Sequence, residues 1–289
     1  MPEVEELRQS ALAKVRAGAL EEALVAYDEA LALARDDETR ELITINKADA
    51  MIALERSGPE VQALPTIVMR RRNLHHVYLA AYALVFKYRT ENELKRATFY
   101  GQLALQTAEE AAEPLWKVLA LNELGSIYDM DSKFERAIDC GEEAVALIES
   151  FDNRSEHQFV YALALENLGA SKVLNDDFEE GIALIEKAMP SIASPTHLAE
   201  AYVDLCFGYL GLDNLERARH FGEAGLQLAT EPRQIRNAHY LLGEVAYKSG
   251  DIALADVHFD HLSKFYPDFQ HLKTLLFAID LRSMVNLKL

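Results

Sequence analysis

Two amphipathic stripes separated by a polar turn recur along this chain, and the stretch from Val118 to Ile148 carries them most clearly. Leu121, Leu124 and Tyr128 fall on one helical face; after a polar break, Phe134, Ala137, Ile138 and Val145 fall on another. Gly125 and Ala137 stand where the two helices are expected to approach closely, because a larger substituent at either Cβ would push the axes apart. The spacing predicts a helix–turn–helix pair. Such a pair cannot bury its apolar stripes alone and needs stacked neighbours.

The same pair can be followed from end to end. Hairpins are expected at about residues 3–36, 37–74, 75–111, 113–150, 154–192, 195–230 and 232–267, followed by a helix over about 269–287. Small residues recur at one place in successive second helices: Ala97, Ala137, Gly181, Ala218 and Ala255, spaced by 40, 44, 37 and 37 residues. Gly18, Ser57-Gly58-Pro59, Thr90-Glu91-Asn92, Asn175-Asp176-Asp177 and Gly250 mark turns. Pro65 lies inside the fourth helix and is expected to kink or delay it.

This pattern resembles the tetratricopeptide repeat family, whose unit is a helix–turn–helix with small residues at those contacts. The resemblance implies an all-α solenoid of about seven stacked hairpins with a C-terminal capping helix, read as one superhelical domain over residues 1–289. The repeats are longer than the family's ~34 residues, so added helical turns or longer loops are expected. First helices would line a concave wall on which the family holds peptides or partner helices. Residues beside each Leu-Gly contact, and those a turn later, are expected to face it: Asp49, Tyr82, Phe86, Asn122, Glu123, Ser126, Asp129, Glu166, Asn167, Asp204, Tyr240, Glu244 and Tyr247. Their carboxylates, amides and aromatics suit an extended basic or neutral segment. Some family members clamp an acidic tail with cations at these places. Glu123, Asp129, Glu166 and Asp204 would repel one.

Charge narrows the partners further. Lys and Arg number 29 against 47 Asp and Glu, a formal net charge of −18. Such a surface repels phosphate backbones and anionic lipid, which argues against nucleic acid and membrane partners. The one basic region, Arg70-Arg71-Arg72 with Lys87, Arg89, Lys95 and Arg96, has no recognisable nucleic-acid fold around it. Two distant cysteines, Cys140 and Cys206, suit a reducing compartment, and neither a signal segment nor an apolar run of spanning length is visible. A cytoplasmic protein is expected.

Nothing in the chain assembles into an active site. No nucleophile–base set, phosphate loop or cofactor motif is present, so neither enzyme activity nor a cofactor is expected. His258 and His261, beside Asp256 and Asp260, have helical metal spacing, a weak signal on an acidic surface, and His239 reads as a core histidine. In the last helix, Phe277, Leu281, Met284 and Val285 form a second apolar face, a candidate association surface for a homodimer. The leading expectation is a protein-interaction scaffold with a peptide-binding groove. The alternatives are a peptide-responsive signalling regulator and a subunit of an enzyme complex.

Overall fold

The computed structural model describes residues 2–266, 269–277 and 286–289. Its helices are α1 (Pro2–Arg16), α2 (Leu20–Leu33), α3 (Asp37–Ala53), α4 (Pro59–Arg70), α5 (Leu74–Thr90), α6 (Leu94–Glu110), α7 (Pro114–Met130), α8 (Phe134–Glu149), α9 (Gln158–Leu174), α10 (Phe178–Ala188), α11 (Pro195–Gly211), α12 (Leu215–Leu228), α13 (Pro232–Lys248), α14 (Ile252–His261) and α15 (Phe269–Leu276). No strand occurs among the described residues, and none of their helices is long and apolar enough to cross a membrane. The helices pack in consecutive pairs as a helical-repeat solenoid.

Each hairpin turn is closed in one way. The residue that ends the turn adopts a left-handed backbone: Gly18, Glu55, Asn92, Ser132, Asp176, Asp213 and Gly250. The amide after it reaches back five residues, as Glu93 N–H donates to the Tyr88 carbonyl and Asn214 N–H to that of Tyr209. This is the helix-ending motif that satisfies the last carbonyls and reverses the chain. The closing residues run 37, 37, 40, 44, 37 and 37 apart. The longer spacings have local causes. α6 has 17 residues where α2 has 14, and a turn of 3-10 helix at Arg154–His157 is inserted before α9.

The chain forms two compact units, Met1–Leu124 and Gly125–Leu289, and the division falls inside α7. In the first, α1 packs on α3 and α3 on α5, so the first helices of successive hairpins are neighbours. Its core includes Tyr27, Ile43, Leu64 and Leu84, all fully buried. In the second, α9 packs on α11 and α11 on α13 in the same manner, over Ile148, Leu165, Ile185 and Phe259. Fixed N-termini hold the register: Asp36, Asn73, Ser194, Asn214 and Asp251 each accept a backbone N–H in the following first turn, and Pro59, Pro195 and Pro232 open their helices.

Three expectations need correction. α4 starts at Pro59 and continues through Pro65, so that proline does not delay it. The loss of one backbone donor is outweighed by burial of Leu64, Ile67 and Val68 beside it. The last helix does not reach residue 287: α15 ends at Leu276, and Asn286–Leu289 is a turn. Gly125 is not a forced close contact either. A Cβ there would sit 3.5 Å from the Ala137 carbonyl oxygen, an ordinary distance. The tight crossing lies one hairpin later, where a Cβ on Gly169 would come within 2.7 Å of the Gly181 oxygen, and one on Gly181 within 2.6 Å of the Gly169 oxygen. Backbone cannot yield as a flexible side chain can.

Gly169→Ala is therefore expected to destabilise the protein by about 1–3 kcal/mol through overpacking. Gly125→Ala should be neutral or stabilise by up to about 1 kcal/mol through helix propensity. Urea unfolding of the two variants checks this, and equal midpoints would contradict the assigned crossing.

Candidate functional site

In the first unit, the expected groove residues surround a stack of rings. Trp116 stacks on Tyr78 (centroids 4.8 Å apart) and on His75 (5.2 Å), and the Tyr78 hydroxyl donates to the Trp116 carbonyl at 3.0 Å. Tyr82 donates to Glu123 Oε1 at 3.2 Å, while Arg89 pairs with Glu123 Oε2 at 3.0 Å and lies over the Phe86 ring. Burial, and then the charge of Glu123, pushes the Tyr82 hydroxyl well above its ordinary value. Asp49 stays exposed on α3, and Asn122 is buried. Four expected residues, Tyr82, Phe86, Glu123 and Asn122, thus serve internal packing and pairing as well as any surface.

The second unit carries a different arrangement. Its first helices bring together Asp129 from α7, Glu166 from α9, and Glu200 and Asp204 one turn apart on α11, around the ammonium of Lys288. Lys288 Nζ lies 2.8 Å from Asp204 Oδ2 and 3.0 Å from Glu200 Oε1, with the side chains of Lys288 and Asp204 only 11% and 4% exposed. Arg233, on α13, donates to Glu200 at 3.0 Å. Ser171 donates to Asp129 Oδ2 at 2.8 Å. The other Asp129 oxygen and Glu166 Oε1 are buried with no hydrogen-bond partner among the described residues.

The four carboxyls divide by surroundings. Burial raises Asp129 to about 7, against the opposing pull of Lys288 and the Ser171 hydrogen bond. Burial likewise raises Glu166 strongly and Asp204 more modestly; for Glu166 the charges of Asp204 and Glu200 add to it. Glu200 is half-buried, and against the desolvation this brings, the charges of Lys288 and Arg233 hold it well below the usual carboxylate range. Burial works against the charged form of Lys288, but Asp204, Glu200 and Glu166 raise it overall. A group of acids this dense and dry requires a cation, and the geometry supplies one.

Lys288 arrives on a short segment held along its backbone. Asn286 Nδ2 donates to the Asp129 carbonyl at 2.7 Å and to Ser132 Oγ at 2.9 Å. Its side-chain oxygen accepts the Lys288 N–H at 2.9 Å, which folds the segment into a turn rather than an extended strand. The Leu287 carbonyl accepts from Asn237 Nδ2 at 2.6 Å and Arg233 Nη1 at 3.2 Å, and the Leu287 side chain is 1% exposed. Arg236 donates to the Leu289 oxygen.

Of the expected residues in this unit, Asp129, Glu166 and Asp204 therefore meet. Tyr240 and Glu244 are buried further along α13, and Ser126 and Asn167 are half-buried on α7 and α9. Tyr247 is partly exposed and donates to the Phe277 carbonyl at 3.0 Å. Glu200, Arg233, Asn237 and the Asn286–Leu289 segment were missed from sequence. Glu200 and Asp204, and Arg233 and Asn237, are spaced one helical turn apart, a signal that could have found them. Phe277 packs edge-on against Tyr247 (5.6 Å) and Phe259 (5.3 Å), beneath the last hairpin; Leu281, Met284 and Val285 lie outside the described residues. The histidines cluster on their own. His239 Nδ1 is 3.1 Å from His258 Nδ1 and its ring stacks on His261 at 4.0 Å, with burial foremost in lowering His239 to about 4. Among the described residues no group of three or more His, Cys, Asp or Glu side chains converges as a metal site.

Comparison with known proteins gives the class. No family model matches the sequence, and no curated protein matches it. Solved structures do match the fold. One is a signal transduction ATPase with numerous domains from Pyrococcus horikoshii, PH0952, with a tetratricopeptide repeat sensor. It is 19% identical with a TM-score of 0.68 over 94% of this chain, which spans 43% of that one. Another is a Rap protein complexed with competence and sporulation factor, 13% identical at a TM-score of 0.69 over 93% of this chain and 78% of that one. A third is NprR in complex with its cognate peptide NprX, 17% identical at 0.67 over 94% and 82%. The chain has the fold of tetratricopeptide-type helical-repeat proteins.

A pH dependence follows from Asp129. In the unfolded chain an aspartate titrates near about 4, whereas here it titrates at about 7. Its contribution to stability is fully present below about 4 and is lost as pH rises through the folded value. Between about pH 5 and pH 8 the wild type should lose about 2 kcal/mol relative to Asp129→Asn. Chemical unfolding of both proteins at the two pH values measures the difference, and parallel profiles would contradict it.

Proposed function

We propose that this chain is a peptide-binding interaction protein whose second unit grips a short segment bearing a lysine or arginine. One observation carries the reading: Glu200 and Asp204 bind an ammonium at 3.0 and 2.8 Å, while Asn237 and Arg233 fix the preceding peptide carbonyl. That is the equipment of peptide recognition, in which backbone hydrogen bonds supply affinity and a charged pocket supplies selectivity. Rigid helices hold these groups in advance, so little ordering entropy is lost when a ligand enters. The acidic lining repels acidic tails.

The similarity to Rap complexed with competence and sporulation factor and to NprR with its cognate peptide supports a regulatory form of this reading, in which peptide capture is a signal. Both cysteines are unpaired and their thiols are pushed up, chiefly by burial, Cys140 to about 11. Unreactive free thiols suit a reducing, cytoplasmic setting. A binding protein without catalytic activity is the form this reading takes.

The test is a peptide array. The full-length protein should be retained by peptides with a central lysine or arginine over the same peptides with glutamate. Asp204→Asn should cut that retention about tenfold or more, the scale for losing one partner of a buried ion pair. Equal retention of basic and acidic peptides would refute the proposal.

A further inference from the structure

We infer that the site in the second unit is specific for an asparagine–apolar–lysine turn, and that the chain's own Asn286-Leu287-Lys288 is its resident occupant, which an incoming peptide of the same chemistry must displace. The inference rests on the peptide-binding reading above and adds the ligand class and its regulation.

Three subsites, each built by different helices, define the ligand. The first is the end of α7, where the Asp129 carbonyl and Ser132 Oγ take both hydrogens that a primary amide can offer. A carboxylate there would be repelled by the Asp129 carbonyl, which has no hydrogen to offer, so an amide is selected. The second encloses the Leu287 side chain almost completely and clamps its carbonyl from α13 through Asn237 and Arg233. The third is the carboxylate cluster of α11, closed over an ammonium. The ligand's fold is selected too, because the Asn286 side chain accepts the Lys288 amide and makes the turn that aims amide and ammonium at their separate pockets.

The segment is joined to the rest of the unit through only eight residues after Phe277. Because it belongs to the same chain as its site, its local concentration is set within the molecule and does not fall on dilution. A free peptide with identical contacts then competes against a partner that is always present, and its apparent affinity falls by the fraction of time the site stands open. The site is thus both a receptor and its own block.

The probe is a fluorescently labelled peptide with the sequence of residues 284–289, Met-Val-Asn-Leu-Lys-Leu, amidated at its end. It is titrated by anisotropy against full-length wild type and the full-length double variant Asn286→Ala/Lys288→Ala. The variant should bind about tenfold more tightly or better, and replacing the probe's lysine by glutamate, or its asparagine by aspartate, should abolish binding. Equal affinity for both proteins would overturn the resident occupant while leaving peptide binding intact. A folded variant, judged by circular dichroism, that binds no probe would overturn both. Should the variant fail to fold, hydrogen exchange on the wild type decides: saturating probe should speed exchange at Lys288 and Leu289, and unchanged protection there would overturn the inference.

Discussion

Every helix here is apolar on a side that only its neighbours can cover, and that dependence organises the rest. Within each unit a hairpin is closed by a left-handed residue and a backward-reaching amide, so its two helices lie antiparallel with their small residues in contact. The next hairpin then packs on the second helix of the last, as α3 does on α2 and α11 on α10. First helices become neighbours as a consequence, α9 beside α11 and α11 beside α13. Residues far apart in sequence, such as Glu166, Glu200 and Asn237, end up on one side because the stacking repeats.

That side is where the energetic cost of the fold is concentrated. Burying several carboxyls beside one another is unfavourable unless protons or cations offset them. The second unit uses both. Asp129 and Glu166 are pushed toward their neutral forms, while Glu200 stays ionised against Lys288 and Arg233. Removing the cation leaves acids with nothing opposite them, so an empty site is a less stable one. In the first unit the equivalent positions are filled by rings and by the Arg89–Glu123 pair, which need no outside charge. The two units carry one architecture and two surface chemistries.

How much of this could be read in advance follows the range of each signal. Helices, turns and the small-residue contacts rest on periodicity within a few dozen residues, and Leu121, Leu124 and Tyr128 announce theirs plainly. Gly125 was overread and Gly169 was the tighter contact, because sequence records that a residue is small and not how near its partner comes. Asp129, Glu166 and Asp204 were legible as positions on the first helices, though not as the buried group that gathers around Lys288. Glu200 and Arg233 were not, since they lie six and ten residues ahead of Cys206 and Gly243, the small residues that mark the helix contacts. The closing segment was the hardest. Its leucines continue the apolar rhythm of α15, and only long-range pairing, from Asn286 to Asp129 and from Lys288 to Asp204, turns it into something other than more helix.

The turns themselves leave the chain room to change. Only Gly18 and Gly250 use the residue that adopts a left-handed backbone without strain; Glu55, Asn92, Ser132, Asp176 and Asp213 do so with a side chain in the way. Asn and Asp tolerate that geometry, but Glu55 and Ser132 sit there at a penalty on the order of 1 kcal/mol each. A scaffold of this kind carries unused margin at bends such as Glu55 that belong to no ligand subsite, unlike Ser132, whose hydroxyl accepts from Asn286. Alterations inside the acid cluster that weaken the fold could be compensated at those bends, so ligand preference in such a solenoid can drift while its architecture stays the same.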